Sequence, residues 1–174
     1  EGPAYWSQAA GRLYDYLQIM YDASGGKFDI LRTDRIKESG EFISRAWVGD
    51  GYVVNFADAS ARNGINVNLV WSYAEAVGSS EMKSLAYYFM GNEKQQRFYV
   101  PRIPTDELYR ALHAIRDRKK MRDEVSRLNA SSDYSQTKAS LLKDIPVGTW
   151  YPQTELAYMR NSADWFFAAK GGHN

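Results

Sequence analysis

The spacing of apolar residues changes near residue 146, and this change constrains the fold more than any other feature. In most of the chain up to Ile115, apolar side chains recur every three or four residues, as on one face of an α-helix. After Pro146, short aromatic runs at 149–151, 156–160 and 165–169 are separated by turn residues, which is typical of β-strands. We therefore predict a mainly α chain with a small β part, helical over residues 1–145 and opening a sheet over residues 146–174.

The helical part divides into segments with separate apolar stripes. Residues 5–21 carry one stripe, formed by Trp6, Ala9, Ala10, Leu13, Leu17 and Met20. Residues 33–47 carry a second, formed by Ile36, Gly40, Ile43 and Trp47. Asp50-Gly51 lies between apolar runs and predicts a tight turn into a short strand. Helices around Val67–Val77 and 82–90, separated by a Gly-Ser-Ser break, predict a helical hairpin.

A charged tract follows the last predicted helix. The apolar stripe through Leu108, Leu112 and Ile115 ends there, and residues 116–127 hold six Lys or Arg against three acids. We predict that this tract is an exposed, mobile connection. Its cations suit an acidic glycan or nucleic acid, but the interspersed acids and the lack of interleaved aromatic residues favour a solvated helix face.

Composition excludes several functional classes. The chain has no Cys and only two His, which removes thiol chemistry and leaves little for a metal centre. The 22 Lys and Arg against 21 Asp and Glu give a net charge of +1, so no overall field attracts nucleic acid or an anionic membrane. No apolar run approaches the roughly 20 residues of a membrane span. We expect no cofactor, metal, nucleic-acid or membrane partner.

Two constellations are candidates for ligand binding. Aromatic residues crowd the first helix, where their rings suit sugar faces but equally suit core packing: Tyr5, Trp6, Tyr14, Tyr16 and Tyr21. Asn55, Asp58 and Arg62 belong to a polar cluster directly after a predicted strand. That cluster presents hydrogen-bonding groups to a ligand or forms an ordinary capped turn, and the sequence leaves both open.

Three stretches together resemble the heparinase II/III-like polysaccharide lyases. They are Glu-Gly-Pro-Ala-Tyr-Trp at residues 1–6, Gly-Asp-Gly-Tyr-Val-Val-Asn-Phe-Ala-Asp-Ala-Ser at residues 49–60, and residues 150–160 followed by Phe-Phe-Ala-Ala-Lys-Gly-Gly-His at residues 166–173. The resemblance implies the end of an incomplete α/α toroid over residues 1–145 and the first strands of an antiparallel β-sandwich over residues 146–174. Their order and spacing, rather than any one motif, make the resemblance.

The resemblance implies cleavage of uronic-acid-containing glycans by β-elimination. By its place in the Glu-Gly-Pro-x-Tyr pattern, Tyr5 matches the catalytic tyrosine of the family, and a phenol can both donate and accept a proton. Trp6 is the neighbouring candidate for the sugar site, although adjacent helical residues diverge by about 100°. We add Asn55, Asp58 and Arg62 as sugar contacts because of their polar loop alone.

The resemblance also implies parts that residues 1–174 do not include. The residues that neutralise the uronate carboxylate precede Glu1 in the family pattern, and the catalytic His follows Asn174, as does the zinc site of some relatives. The chain is then a piece that is inactive alone, packed through its sheet and toroid against the remainder of its parent chain. The family places such a protein in the periplasm or outside the cell.

Two other functions remain open from the sequence. A toroidal glycoside hydrolase uses paired carboxylates, for which Asp50 and Asp58 are the available pair. A non-catalytic glycan-binding or structural domain needs no catalytic group.

Overall fold

The computed structural model describes residues 2–91, 108–130, 140, 142–161 and 165–172. Within these residues the chain is mainly helical, with two small antiparallel sheets. The helices are α1 (Gly2–Ala23), α2 (Asp34–Ala46), α3 (Val67–Val77), α4 (Ser80–Gly91) and α5 (Leu108–Ala130). The strands are β1 (Trp47–Gly49), β2 (Tyr52–Val53), β3 (Gly148–Tyr151), β4 (Leu156–Arg160) and β5 (Phe166–Lys170).

Helix α1 buries a different stripe from the predicted one. Trp6, Ala10 and Leu17 are buried as expected, but Ala9 and Leu13 are exposed and Tyr14 takes the inner position. Tyr14 stacks on Tyr73 of α3 with ring centroids 4.9 Å apart. The prediction was wrong at Leu13 because the adjacent Tyr14, whose large ring packs on Tyr73, takes the buried position instead.

Helix α2 and the hairpin after it agree with the sequence patterns. Ile36, Gly40 and Ile43 are buried along α2. Trp47 is fully buried and opens β1, which pairs with β2 in antiparallel register Trp47↔Val53. The connecting residues Asp50 and Gly51 both have positive φ, 50° and 81°, as a primed hairpin turn requires.

Helices α3 and α4 form the predicted hairpin. Gly78 ends α3 in the left-handed conformation, with φ of 69°, and its backbone N–H is bonded to the carbonyl of Ala74. At the other end of α3, the Asn66 side chain accepts a hydrogen bond from the N–H of Leu69, at 3.1 Å. These two caps fix the limits of a helix that is buried over most of its length.

Of the two predictions for residues 116–127, the helix face is confirmed and the mobile connection was wrong, since these residues continue helix α5. Asp117, Met121 and Val125 recur at four-residue spacing and are buried. The Ser72 hydroxyl donates to the Asp117 carboxylate at 2.5 Å, which compensates the buried acid. Lys120 also contacts α3, where it pairs with Glu75 and lies over the Trp71 ring. The sequence Thr-Asp-Glu at residues 105–107, which favours a helix start, lies outside the described residues.

Strands β3, β4 and β5 form one antiparallel sheet in that order. In register, Thr149 pairs with Tyr158, Trp150 with Ala157 and Met159 with Phe167. Tyr158 and Arg160 are buried, whereas Trp150, Met159 and Phe167 alternate with them and are exposed. One face of the sheet therefore rests on the helical part, and the other presents apolar side chains.

Two hydrophobic clusters hold these elements together. The larger lies among the helices around Trp47, Trp71 and Tyr73, each almost fully buried. The smaller joins the helical part to the sheet through Ala46, Val54 and Tyr158. Among the helices in the described part of the chain, none has the length and apolar character that crossing a membrane requires.

Candidate functional site

A groove of about 840 Å³ lies where the helical part meets the three-stranded sheet. Five segments contribute to its walls: the start of α1, the exposed side of α2, the loop after β2, the turn between β3 and β4, and the end of β5. A concave site at a junction between layers is where ligands commonly bind.

The three stretches that carry the family resemblance all reach this groove. The first contributes Tyr5 and Trp6, the second Phe56 and Ala57, and the third residues 151–156 together with the Lys-Gly-Gly sequence at 170–172. The first and last of these segments are more than 160 residues apart in the chain. Folding thus places three separate sequence motifs in one groove. His173 lies outside the described residues.

Tyr5 and Trp6 both line the groove, but in different ways. The Tyr5 side chain is 45% exposed, so a ligand in the groove can contact it. Trp6 is 5% exposed; its indole Nε1 donates to the Ser39 carbonyl at 3.0 Å, and its ring stacks on Tyr73. Tyr5 is therefore the accessible group, and Trp6 is a buried part of the wall.

A close backbone contact holds the start of α1 at the groove. Gly2 has φ of 65°, and a Cβ atom there would lie 2.6 Å from the carbonyl oxygen of Phe56 and 3.0 Å from Cβ of Ala59. Only glycine allows this approach in this conformation. The loop after β2 thereby fixes the helix turn that carries Tyr5.

The glycine turn after β5 is held against the turn between β3 and β4. The Gly171 N–H donates to the Glu155 carbonyl at 2.8 Å. Gly172 has φ of 73°, and a Cβ atom there would lie 2.6 Å from Oε2 of Glu155. The Glu155 side chain thus lies directly over the glycine backbone at the groove.

The groove carries charges of both signs among aromatic side chains. Arg35 and Lys170 are its exposed cations, and Glu38 and Glu155 are its exposed acids. Arg35 makes no ion pair with any residue in the described ranges. Aromatic rings line the same walls: Trp6, Phe42, Phe56, Tyr151 and Tyr158. Such a surface offers flat apolar faces and a positive charge to one ligand.

A buried cluster of charges lies behind the Tyr151 wall, and sequence patterns did not reveal it. Arg45 of α2 donates from Nη2 to Oε2 of Glu41 at 2.6 Å and from Nε to Oε1 of Glu81 at 2.9 Å. The Ser79 hydroxyl donates to the other Glu41 oxygen at 2.9 Å. Both carboxylates are at most 6% exposed. One guanidinium therefore serves two buried acids.

Arg160 of β4 completes this cluster from the sheet. Its Nη2 donates to the backbone oxygens of Arg45, at 2.5 Å, and Trp47, at 3.1 Å. The guanidinium also lies 4.8 Å from the Phe166 ring centroid. Burial lowers the pKa of Arg160 to about 10, although the charge of Glu81 opposes the shift.

Burial also shifts the pKa of the acids and phenols beside this cluster. It raises the pKa of Glu81 to about 7; Arg45 opposes the shift and the nearby Glu41 charge adds to it. Burial raises the pKa of the Tyr151 hydroxyl to about 12, although the neighbouring Arg45 guanidinium opposes the shift. Tyr151 is therefore a neutral phenol near neutral pH.

The structure does not bring the predicted loop residues into the groove. Asn55, Asp58 and Arg62 are exposed on the loop after β2, whereas their neighbours Val54, Phe56 and Ala57 line the groove. The Arg62 guanidinium lies over the Tyr52 ring, 4.7 Å from its centroid.

The carboxylate pair considered for hydrolysis also lies away from the groove. Asp50 occupies the turn between β1 and β2, and Asp58 is on the following loop; neither lines the groove. Over the parts of the chain that the structure describes, no group of three or more His, Asp or Glu is arranged to hold a metal ion.

Comparisons with known proteins do not identify a family. No protein-family model matches the chain, and no curated protein matches it either. A function must therefore be inferred from the groove and its residues.

Proposed function

We propose that the groove binds an acidic polysaccharide and that this chain is part of a heparinase II/III-like polysaccharide lyase. The observation that carries the proposal is the meeting of three distant motifs at one groove, with an accessible Tyr5 among them. Each motif is short, but a chance similarity gives no reason for all three to share a site.

In the proposed reaction, Tyr5 is the acid/base of a β-elimination. A base takes the C5 proton of the uronate, the electron pair forms the C4=C5 double bond, and the C4–O4 bond breaks. The phenol of Tyr5 donates a proton to the departing O4 and regains one from solvent. The exposure of Tyr5 within the groove supports this role.

The other groove residues have binding roles in this proposal. Trp6, Phe42 and Phe56 provide apolar surface for sugar C–H faces. Arg35 and Lys170 provide positive charge for an acidic substrate. Asn55, Asp58 and Arg62 stay predicted sugar contacts beside the groove.

We also propose that helices α1 to α5 belong to an incomplete α/α toroid and that β3 to β5 open an antiparallel β-sandwich. Both faces of this sheet carry apolar side chains, as strands that are covered on both sides do. Trp150, Met159 and Phe167 would pack against the remainder of the parent chain. A periplasmic or extracellular location accompanies the family proposal.

The test is Tyr5→Phe in the native protein that contains these residues, with formation of the unsaturated product followed by ultraviolet absorbance on uronic-acid glycans. Loss of an acid/base group is expected to lower turnover about 10²- to 10⁴-fold. Tyr16→Phe is the matched control, because Tyr16 is exposed on the same helix outside the groove lining. Undiminished turnover by Tyr5→Phe would remove Tyr5 from the reaction.

The products separate this proposal from its alternatives. Cleavage without an unsaturated sugar identifies a glycoside hydrolase. Oligosaccharide binding without cleavage by the native protein identifies a non-catalytic glycan-binding domain.

A further inference from the structure

The buried charge cluster connects the two sides of the groove. Glu41 and Arg45 lie on α2, Glu81 lies on α4, and Arg160 lies on β4. Arg160 reaches from the sheet to the backbone of Arg45 and Trp47, at the end of α2 and the start of β1. The α2 and β3–β4 walls of the groove therefore meet at this cluster.

We propose that this cluster is a proton-operated clamp that holds strands β3 and β4 against α2 and so controls the opening of the groove. The clamp goes beyond the proposed function, because it acts on the groove whatever ligand binds there. Two buried carboxylates share the Arg45 guanidinium, so one proton changes the charge balance of the whole junction.

The charged and titratable groups around Glu81 come from α2, from the connection between α3 and α4, and from the sheet. Helix α2 supplies Arg45 and Glu41, the latter also 3.8 Å from Lys37 Nζ. Ser79, just before α4, donates to Glu41. The sheet supplies the Tyr151 phenol from β3 and the Arg160 guanidinium from β4. Burial has the largest effect on the pKa of both groups, and the charge of Glu81 acts to raise each pKa.

The direction of the switch follows from proton linkage. In the closed state burial holds the pKa of Glu81 near 7, whereas a hydrated Glu81 in an opened state has the ordinary value of 4.5. The closed state therefore binds the proton more tightly, and acidification favours it. Raising the pH through about 7 deprotonates Glu81 and favours opening.

Distance measurements between two spin labels across the groove test the clamp without any ligand. The chain has no Cys, so Glu38→Cys on α2 and Gln153→Cys in the β3–β4 turn give two unique sites, both lining the groove. We expect the distance distribution to lengthen between about pH 5 and about pH 9, because deprotonation of Glu81 favours the opened state.

Two variants separate the clamp from a general effect of pH. Glu81→Gln keeps an acceptor for Arg45 but has no titrating proton, and it is expected to remove the pH dependence. Glu75→Gln is the matched control and is expected to keep the pH dependence. Glu75 lies on α3 and pairs instead with Lys83 of α4 and Lys120 of α5.

Carboxyl ¹³C NMR of the unsubstituted chain gives a second measurement that does not depend on variant folding. Supporting results are a Glu81 carboxyl that titrates near neutral pH and a label distance that follows it. A Glu81 titration near 4.5, an unchanged label distance, or the same pH response in Glu81→Gln overturns the clamp. None of these outcomes bears on turnover by Tyr5, so the proposed function is tested separately.

Discussion

The indole Nε1 of Trp6 donates a hydrogen bond of 3.0 Å to the backbone carbonyl of Ser39, and this bond joins α1 to α2 beside the groove. The same ring stacks on Tyr73 at a centroid distance of 6.1 Å. Trp6 therefore fixes the position of the helix turn that presents Tyr5, its neighbour in the chain.

Replacement of Trp6 by Phe is expected to destabilise the fold. The ring contact is largely kept, but the Ser39 carbonyl loses its buried donor, which costs about 1–3 kcal/mol. Urea denaturation measures the loss. Tyr16→Phe is the control: Tyr16 is 58% exposed on the same helix, and the free energy of unfolding of this variant should change by less than about 0.5 kcal/mol. Equal effects of the two variants would contradict the buried role of the Trp6 hydrogen bond.

Replacement of Arg160 by Met is expected to loosen the attachment of the sheet. The carbonyls of Arg45 and Trp47 both lose their donor, at about 1–3 kcal/mol for each group left unsatisfied. Thermal and urea unfolding measure this change. Gln153→Met, in the exposed turn between β3 and β4 of the same sheet, should leave stability nearly unchanged. Wild-type stability in Arg160→Met would show that the sheet does not depend on these bonds.

Local features of the fold were predictable because they depend on neighbouring residues. The Asp50-Gly51 turn and the Gly78 helix end follow from the backbone conformations that these residues favour. Beyond Ile115 the sequence left both a mobile connection and a helix face open for α5, because the charged tract holds only two apolar residues, Met121 and Val125. Their four-residue spacing was the signal that could have identified the helix.

Only the groove residues that belong to a recognised sequence motif could be predicted from the sequence. Tyr5 and Trp6 were found through the family resemblance, and both line the groove. Arg160 and Glu81 were missed because their cluster exists only in three dimensions, with α2 and β4 more than 100 residues apart. Buried charges also contradict the usual sequence expectation that such residues face solvent.

Stability is expected to rise as the pH falls from about 7 to about 4.5. Glu81 has a raised folded pKa, so the folded state takes up a proton in this window that the unfolded state does not. The full shift corresponds to about 3 kcal/mol. Burial alone would raise the pKa of Glu75, but its hydrogen bonds to Lys83 and Lys120 outweigh burial and lower that pKa. Below pH 4.5, protonation of Glu75 therefore decreases stability.

Urea unfolding across this pH range measures the Glu81 effect, and Glu81→Gln should flatten the curve. A wild-type stability that falls steadily as the pH is lowered from 7 to 4.5 would contradict the assignment.

Replacement of Arg35 by Gln is expected to weaken binding of acidic oligosaccharides selectively. Arg35 lines the groove, is exposed, and has no ion-pair partner among the described side chains, so its charge is available to a ligand. An exposed ion pair contributes up to about 1 kcal/mol, so affinity should fall about 2- to 5-fold. Calorimetry on the native protein, with acidic and neutral oligosaccharides of equal length, measures the difference. Arg32→Gln is the matched control, because Arg32 is exposed just before α2 but does not line the groove. Equal loss for the neutral ligand would show that Arg35 shapes the groove rather than recognising charge.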